Sequence, residues 1–188
     1  MTKTKNNIKN IALCGVMIAL ATGLSEIKIY NPPLGGGVTL LSMVPIAFLA
    51  CMLDFKWGFI AAFAYSMVQL FMSMGEVMSW GLSAGAVAAT FVLDYVLAYT
   101  CLCICGIWKN KGAKGIIAGV LLATTIRFLC HLITGVYIFD IWAPDSWENI
   151  WVYSLCYNGA YMLPEIVLTC IGTTLLVKTK AIQKMLKL

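Results

Sequence analysis

An all-α integral membrane bundle of six spanning helices, with both termini cytoplasmic, is the fold this sequence predicts. Three observations carry that reading. Hydrophobic residues make up 61% of the 188 residues and charged ones 11%, where a soluble domain carries about a quarter charged residues. Apolar runs recur at the length a bilayer core of about 30 Å requires, roughly 20 helical residues at 1.5 Å each. No alternating strand pattern with closely spaced turns points to a membrane barrel, so helices must satisfy the backbone internally.

The first predicted span runs from about Ile8 to Ile27. Lys3, Lys5 and Lys9 before it resemble the start of a signal peptide, but no A-x-A-like cleavage site precedes a soluble domain, so the stretch reads as a retained helix. On it Gly15, Ala19 and Gly23 recur every fourth residue, a groove that another helix of this chain or of a partner can approach closely. The second span, about Thr39 to Leu53, is short and ends at Asp54-Phe-Lys56, a polar break that a continuous helix in lipid would not carry. Trp57 to Met74, Leu82 to Trp108, Gly115 to Ile138 and Trp151 to Val177 complete the six.

Threaded in alternation, these spans put Lys3, Lys5, Lys9, Lys56, Lys109, Lys111, Lys114, Lys178, Lys180, Lys184 and Lys187 on one side, which is therefore cytoplasmic. Glu76, Asp140, Asp145 and Glu148 fall on the other. The formal charge of +5 thus belongs mostly to the inner rim and does not signal nucleic acid. Residues 1–188 read as a single transmembrane domain in contact with lipid. The eight cysteines lie almost entirely within spans, as small hydrophobes do, rather than as an outer disulfide framework or a metal site.

Polar residues at bilayer depth cost about 2.5 kcal/mol or more each and are kept where they face a cavity or a substrate. Arg127 and His131, spaced i, i+4, share one face of the fifth helix. They can line a cavity or anchor neighbouring helices, Arg127 by pairing with Asp94. Asp94, followed by Tyr95, is equally a partner for Arg127 or a carboxylate for an organic cation flanked by rings. Phe139, Trp142, Trp147, Trp151 and Tyr153 gather at the outer end of the last two helices, as a headgroup belt or as walls that stack on a flat ligand. Asn158 can read the edge of a heteroaromatic ring or bond to another helix. Asn31-Pro-Pro-Leu-Gly-Gly-Gly37 has the makeup of an outer loop that folds over an opening, or of a plain connector.

Gly36-Gly-Val-Thr-Leu-Leu-Ser-Met-Val-Pro45, Leu93-Asp-Tyr-Val-Leu-Ala98, Arg127-Phe-Leu-Cys-His-Leu-Ile-Thr-Gly135 and Tyr153-Ser-Leu-Cys-Tyr-Asn-Gly-Ala-Tyr-Met-Leu-Pro-Glu165 resemble, in order and spacing, the thiamine-specific substrate-binding subunits of energy-coupling factor (ECF) transporters. The resemblance implies a six-helix, non-enzymatic subunit without a cofactor, in the plasma membrane. Such a subunit captures thiamine from outside, and a coupling transmembrane protein with two ABC-type ATPases drives release inside. It implies ligand contacts for Asp94, Tyr95, His131, Phe139, Tyr153 and Asn158; from its place one turn from His131, Arg127 is expected to orient Asp94 or His131. Phe139 stands where some members have a stacking tryptophan. The lid would involve Tyr30, Leu34 and Gly36, although Tyr30 replaces the tryptophan that some members carry. Gly15, Ala19 and Gly23 would dock on the coupling protein.

Rival readings are a same-fold subunit for another vitamin or a thiamine precursor, an intramembrane enzyme using His131 as base with Asp94 or Glu165, and a passive channel. The enzyme lacks any recognisable nucleophile or metal unit such as G-x-S-x-G or H-E-x-x-H. Aromatic crowding at the outer mouth argues against an open pore.

Overall fold

The computed structural model describes residues 3–33 and 35–179. α1 covers Lys3–Ser25 and leads into a short antiparallel hairpin, β1 Lys28–Tyr30 and β2 Val38–Thr39. Then follow α2 Val44–Met52, α3 Phe55–Ser79, α4 Ala84–Gly106, α5 Gly112–Tyr137 and α6 Ile150–Lys178. The result is an all-α membrane bundle of six helices, of which α1 and α3 to α6 make five long and apolar enough to cross a bilayer.

The second helix is where extent departs most from expectation. α2 has nine residues, about 14 Å at 1.5 Å each, half the bilayer core. Thr39, the predicted start, is taken up by the hairpin, and Leu41 turns the chain with a positive φ of 60°. Pro45 then opens the helix, where its missing N–H leaves no bond unmade. Every residue from Val44 to Cys51 is buried, so this half-length helix is covered by protein rather than by lipid. The polar break at Asp54 is the cap of α3, its side chain accepting from the Trp57 N–H at 3.2 Å.

The inner end is sealed by close backbone contact. A Cβ at Gly106 would overlap the Ala50 carbonyl, and one at Gly119 would overlap the Cys105 carbonyl. α2, the end of α4 and α5 can therefore meet only because these positions carry no side chain. Lys109 Nζ donates to the Leu53 carbonyl and ties the basic α4–α5 connection to the foot of α2.

α4 is not uniform. Phe91–Leu97 winds as a π-helix and Cys101–Gly106 as a 3₁₀-helix. The π segment carries Asp94, and such segments recur where a helix must re-aim a functional side chain. On α1, Gly15, Ala19 and Gly23 are exposed, with nothing within 4 Å of a Cβ built at either glycine. Among the described residues that groove is not used for packing within this chain.

Candidate functional site

A cavity of about 390 Å³ lies beneath the hairpin, within the 300–1,000 Å³ range typical of small-molecule sites. The loop 31–37 roofs it with Asn31, Pro32 and Gly36, while α3 supplies Gln69, the cap just after it Trp80, and α4 Asp94, Tyr95 and Tyr99. α5 adds Arg127, His131 and Thr134, the turn after it Phe139, and α6 Tyr153, Tyr157, Asn158, Tyr161 and Glu165. Asp94, Tyr95, Arg127, His131, Phe139, Tyr153, Asn158 and Gly36 are thus brought to one hollow. Tyr30 is not: its side chain is 48% exposed and does not line the cavity. Leu34 lies outside the described residues, as do Lys180, Lys184 and Lys187.

Asp94 is buried, and its partner is His131 rather than Arg127. His131 Nδ1 lies 2.8 Å from Asp94 Oδ1, and Thr134 Oγ1 donates to the same oxygen at 2.7 Å. A carboxylate only accepts, so Nδ1 carries the proton of that bond. Both bonds fall on Oδ1, and Oδ2 receives none from the described residues. His131 Nε2 is buried without a partner.

Arg127 does not orient Asp94 or His131 through a hydrogen bond. Its guanidinium carbon sits 3.8 Å from the centroid of the Tyr99 ring, and Nε and Nη1 are buried without partners. One helical turn separates it from His131, and that turn directs the two side chains to different neighbours.

Asn158 is buried, but its amide is held by its own helix rather than by another. Nδ2 donates to the Ser154 carbonyl at 2.9 Å and lies 3.1 Å from Ser154 Oγ, while Oδ1 accepts from Tyr161 Oη at 2.5 Å. It therefore positions Tyr161, whose ring meets His131 at a centroid distance of 6.1 Å.

Two aromatic groups contribute rings to the hollow. Tyr153, Tyr157 and Tyr161, spaced i, i+4, i+8 on α6, form a ladder with centroid separations of 6.0 and 6.2 Å. In the second group Phe139 stacks on Trp142 at 5.6 Å, and Trp80 meets both edge-on. Tyr157, Tyr161 and Trp80 had no assigned role from sequence. The four-residue spacing of the tyrosines was a usable signal, whereas nothing local marks Trp80.

The roof is fastened to α6. Glu165 Oε1 accepts from both the Thr39 N–H and Thr39 Oγ1, the latter at 2.6 Å. Tyr157 Oη donates to the Gly35 carbonyl at 3.0 Å. Gly36, at φ +79°, lies so close to Tyr161 that a Cβ there would stand 2.7 Å from its ring.

Comparison with known proteins gives a consistent picture. The chain is 26% identical over 193 residues to the thiamine transporter ThiT of Bacillus subtilis, covering 95% of each chain. It is 27% identical over 143 residues to the ThiT of Lacticaseibacillus paracasei, covering 69% of this chain and 67% of that one. The fold matches that of ThiT from Listeria monocytogenes with a TM-score of 0.75 at 18% identity, over 96% of this chain and 98% of that one. Residues 11–185 match the family described as "Thiamine transporter protein". The relatives are transporters rather than enzymes, and this chain, a multi-pass cell-membrane protein, belongs to the thiamine transporter family.

Proposed function

We propose that this chain is the thiamine-binding subunit of an ECF-type uptake transporter, taking thiamine from the outer side and releasing it inside. The observation that carries the reading is a buried carboxylate–imidazole pair in a 390 Å³ hollow walled by rings and roofed by a hairpin. Thiamine bears a fixed positive charge on its thiazolium and an aminopyrimidine edge. Such a ligand is suited by a carboxylate, by the negative faces of rings and by edge-reading polar atoms.

In this reading Asp94 Oδ2 faces the cation, with Tyr95, Phe139 and Tyr153 as stacking surfaces. His131 Nε2 reads a polar atom of the ligand, and Asn158 serves through Tyr161. Gly36 and the hairpin close the site. The cavity's roof lies at the end of the bundle opposite Lys56, Lys109, Lys111 and Lys114, which fits an extracellular opening. The open face of Gly15, Ala19 and Gly23 fits close approach by a helix of the coupling protein, whose two ABC ATPases would supply the energy.

Isothermal titration of the purified chain tests the binding claim. Micromolar thiamine gives saturable heat, and riboflavin or the free pyrimidine moiety fails to compete at equal concentration. Absence of thiamine binding, or equal binding of riboflavin, overturns the assignment. Co-purification of a coupling protein and two ATPases with the tagged chain tests the rest.

A further inference from the structure

Below the Asp94–His131 pair, the cavity wall holds a second pair of charged groups that the proposed contacts leave unused. Arg127, one helical turn from His131 on α5, keeps Nε and Nη1 buried and without partners. Glu165 on α6 is 4% exposed; its Oε1 is occupied by Thr39, while Oε2 is buried without a partner. Both residues line the same hollow. They are opposite in charge, yet among the described residues the one ion pair within 4.0 Å is His131–Asp94, so no direct contact joins Arg127 to Glu165.

Buried polar atoms left unpaired cost about 1–3 kcal/mol each, more when charged. Two such groups facing one cavity without touching call for something between them. Arg127 presents only donors and Glu165, as a carboxylate, only acceptors. The bridging group must therefore accept from one and donate to the other. An anion would meet the Glu165 carboxylate, and a cation would meet the guanidinium.

We propose that Arg127 and Glu165 form a deep subsite for a neutral group that both donates and accepts hydrogen bonds. Resting on the thiamine reading above, this makes the pair specificity-determining. Thiamine offers two such groups, the primary alcohol of its hydroxyethyl arm and the amino-and-ring-nitrogen edge of its pyrimidine. With the alcohol at this depth a phosphate ester is disfavoured, because esterification removes the donor and sets a negative charge against Glu165; with the pyrimidine edge there, the pair does not meet the ester.

The test is titration of the full-length purified chain, wild type, Arg127→Met and Glu165→Gln, with four probes: thiamine, thiamine lacking the side-chain hydroxyl, thiamine lacking the pyrimidine amino group, and thiamine monophosphate. Glu165→Gln keeps a carbonyl for Thr39 and guards against a misfolded Arg127 variant. Each substitution is expected to weaken thiamine roughly tenfold or more and to leave unchanged the affinity of the one analogue that lacks the bridging group. Which analogue is insensitive names the source. Where the analogue lacking the hydroxyl is the insensitive one, Glu165→Gln is also expected to narrow the gap between thiamine and its monophosphate. Equal losses with every probe, or no loss with thiamine, would overturn the subsite. Failure of the wild-type chain to bind thiamine at all would instead overturn the functional reading on which it rests.

Discussion

His131 Nδ1 lies 2.8 Å from Asp94 Oδ1, joining α5 to the π segment of α4 at the heart of the cavity. The bond fixes the imidazole's protonated nitrogen and leaves Nε2 as its available atom. Both bonds to the carboxylate fall on Oδ1, and Oδ2 receives none from the described residues. Substitution of Asp94 by Asn should weaken thiamine by about 1.5–3 kcal/mol, the usual range for a hydrogen bond to a charged group. Titration calorimetry reads the change directly, and an unaltered affinity would remove Asp94 from the site.

Thr134 supplies the second bond to Asp94 Oδ1, at 2.7 Å. Val has nearly the same shape and no hydroxyl. Thr134→Val should reduce thiamine affinity by about 1 kcal/mol, while Thr134→Ser should restore most of it. If Ser and Val behave alike, the hydroxyl is not what orients the carboxylate.

Asn158 and Tyr161 act as a unit, because Oδ1 of the amide accepts from the Tyr161 hydroxyl at 2.5 Å. Asn158→Ala and Tyr161→Phe should each weaken binding by about 1 kcal/mol, and the double variant should lose much less than the sum. Additive losses in that cycle would mean that Asn158 touches the ligand on its own account.

Gly36 tests the roof. Its φ of +79° suits glycine, and a Cβ would stand 2.7 Å from the Tyr161 ring. Gly36→Ala should hold the hairpin off α6 and speed thiamine dissociation about tenfold in stopped-flow measurements, the equivalent of about 1.4 kcal/mol. A dissociation rate equal to that of the wild type would show that the hairpin does not gate exit.

The inner seal makes a prediction about stability rather than binding. Gly106→Ala would push a methyl group into the Ala50 carbonyl, a backbone contact that cannot rotate away. Destabilisation of about 2 kcal/mol or more is expected, seen as a lower Tm in detergent. A Tm within a degree of the wild-type value would mean that α2 and α4 part easily.

Much of this protein was legible in its sequence, because hydropathy and helical spacing are local properties. Bilayer embedding, five of the six helices to within a few residues, the polar break at Asp54, and the shared face of Arg127 and His131 all follow from runs of neighbouring residues. The four-residue spacing of Tyr153, Tyr157 and Tyr161 is local too, but that the three rings form one ladder on the cavity emerges only from the structure. What only the tertiary structure decided are relations between helices. That Asp94 bonds His131 while Arg127 lies over Tyr99 depends on how α4 and α5 are rotated against each other, and on a π segment that no residue pattern announces. That Thr39 leaves the second helix to meet Glu165 depends on a carboxylate 126 positions away in the chain. Periodicity tells which side of a helix a residue occupies, but the partner it finds there is set by packing among elements that are distant in sequence.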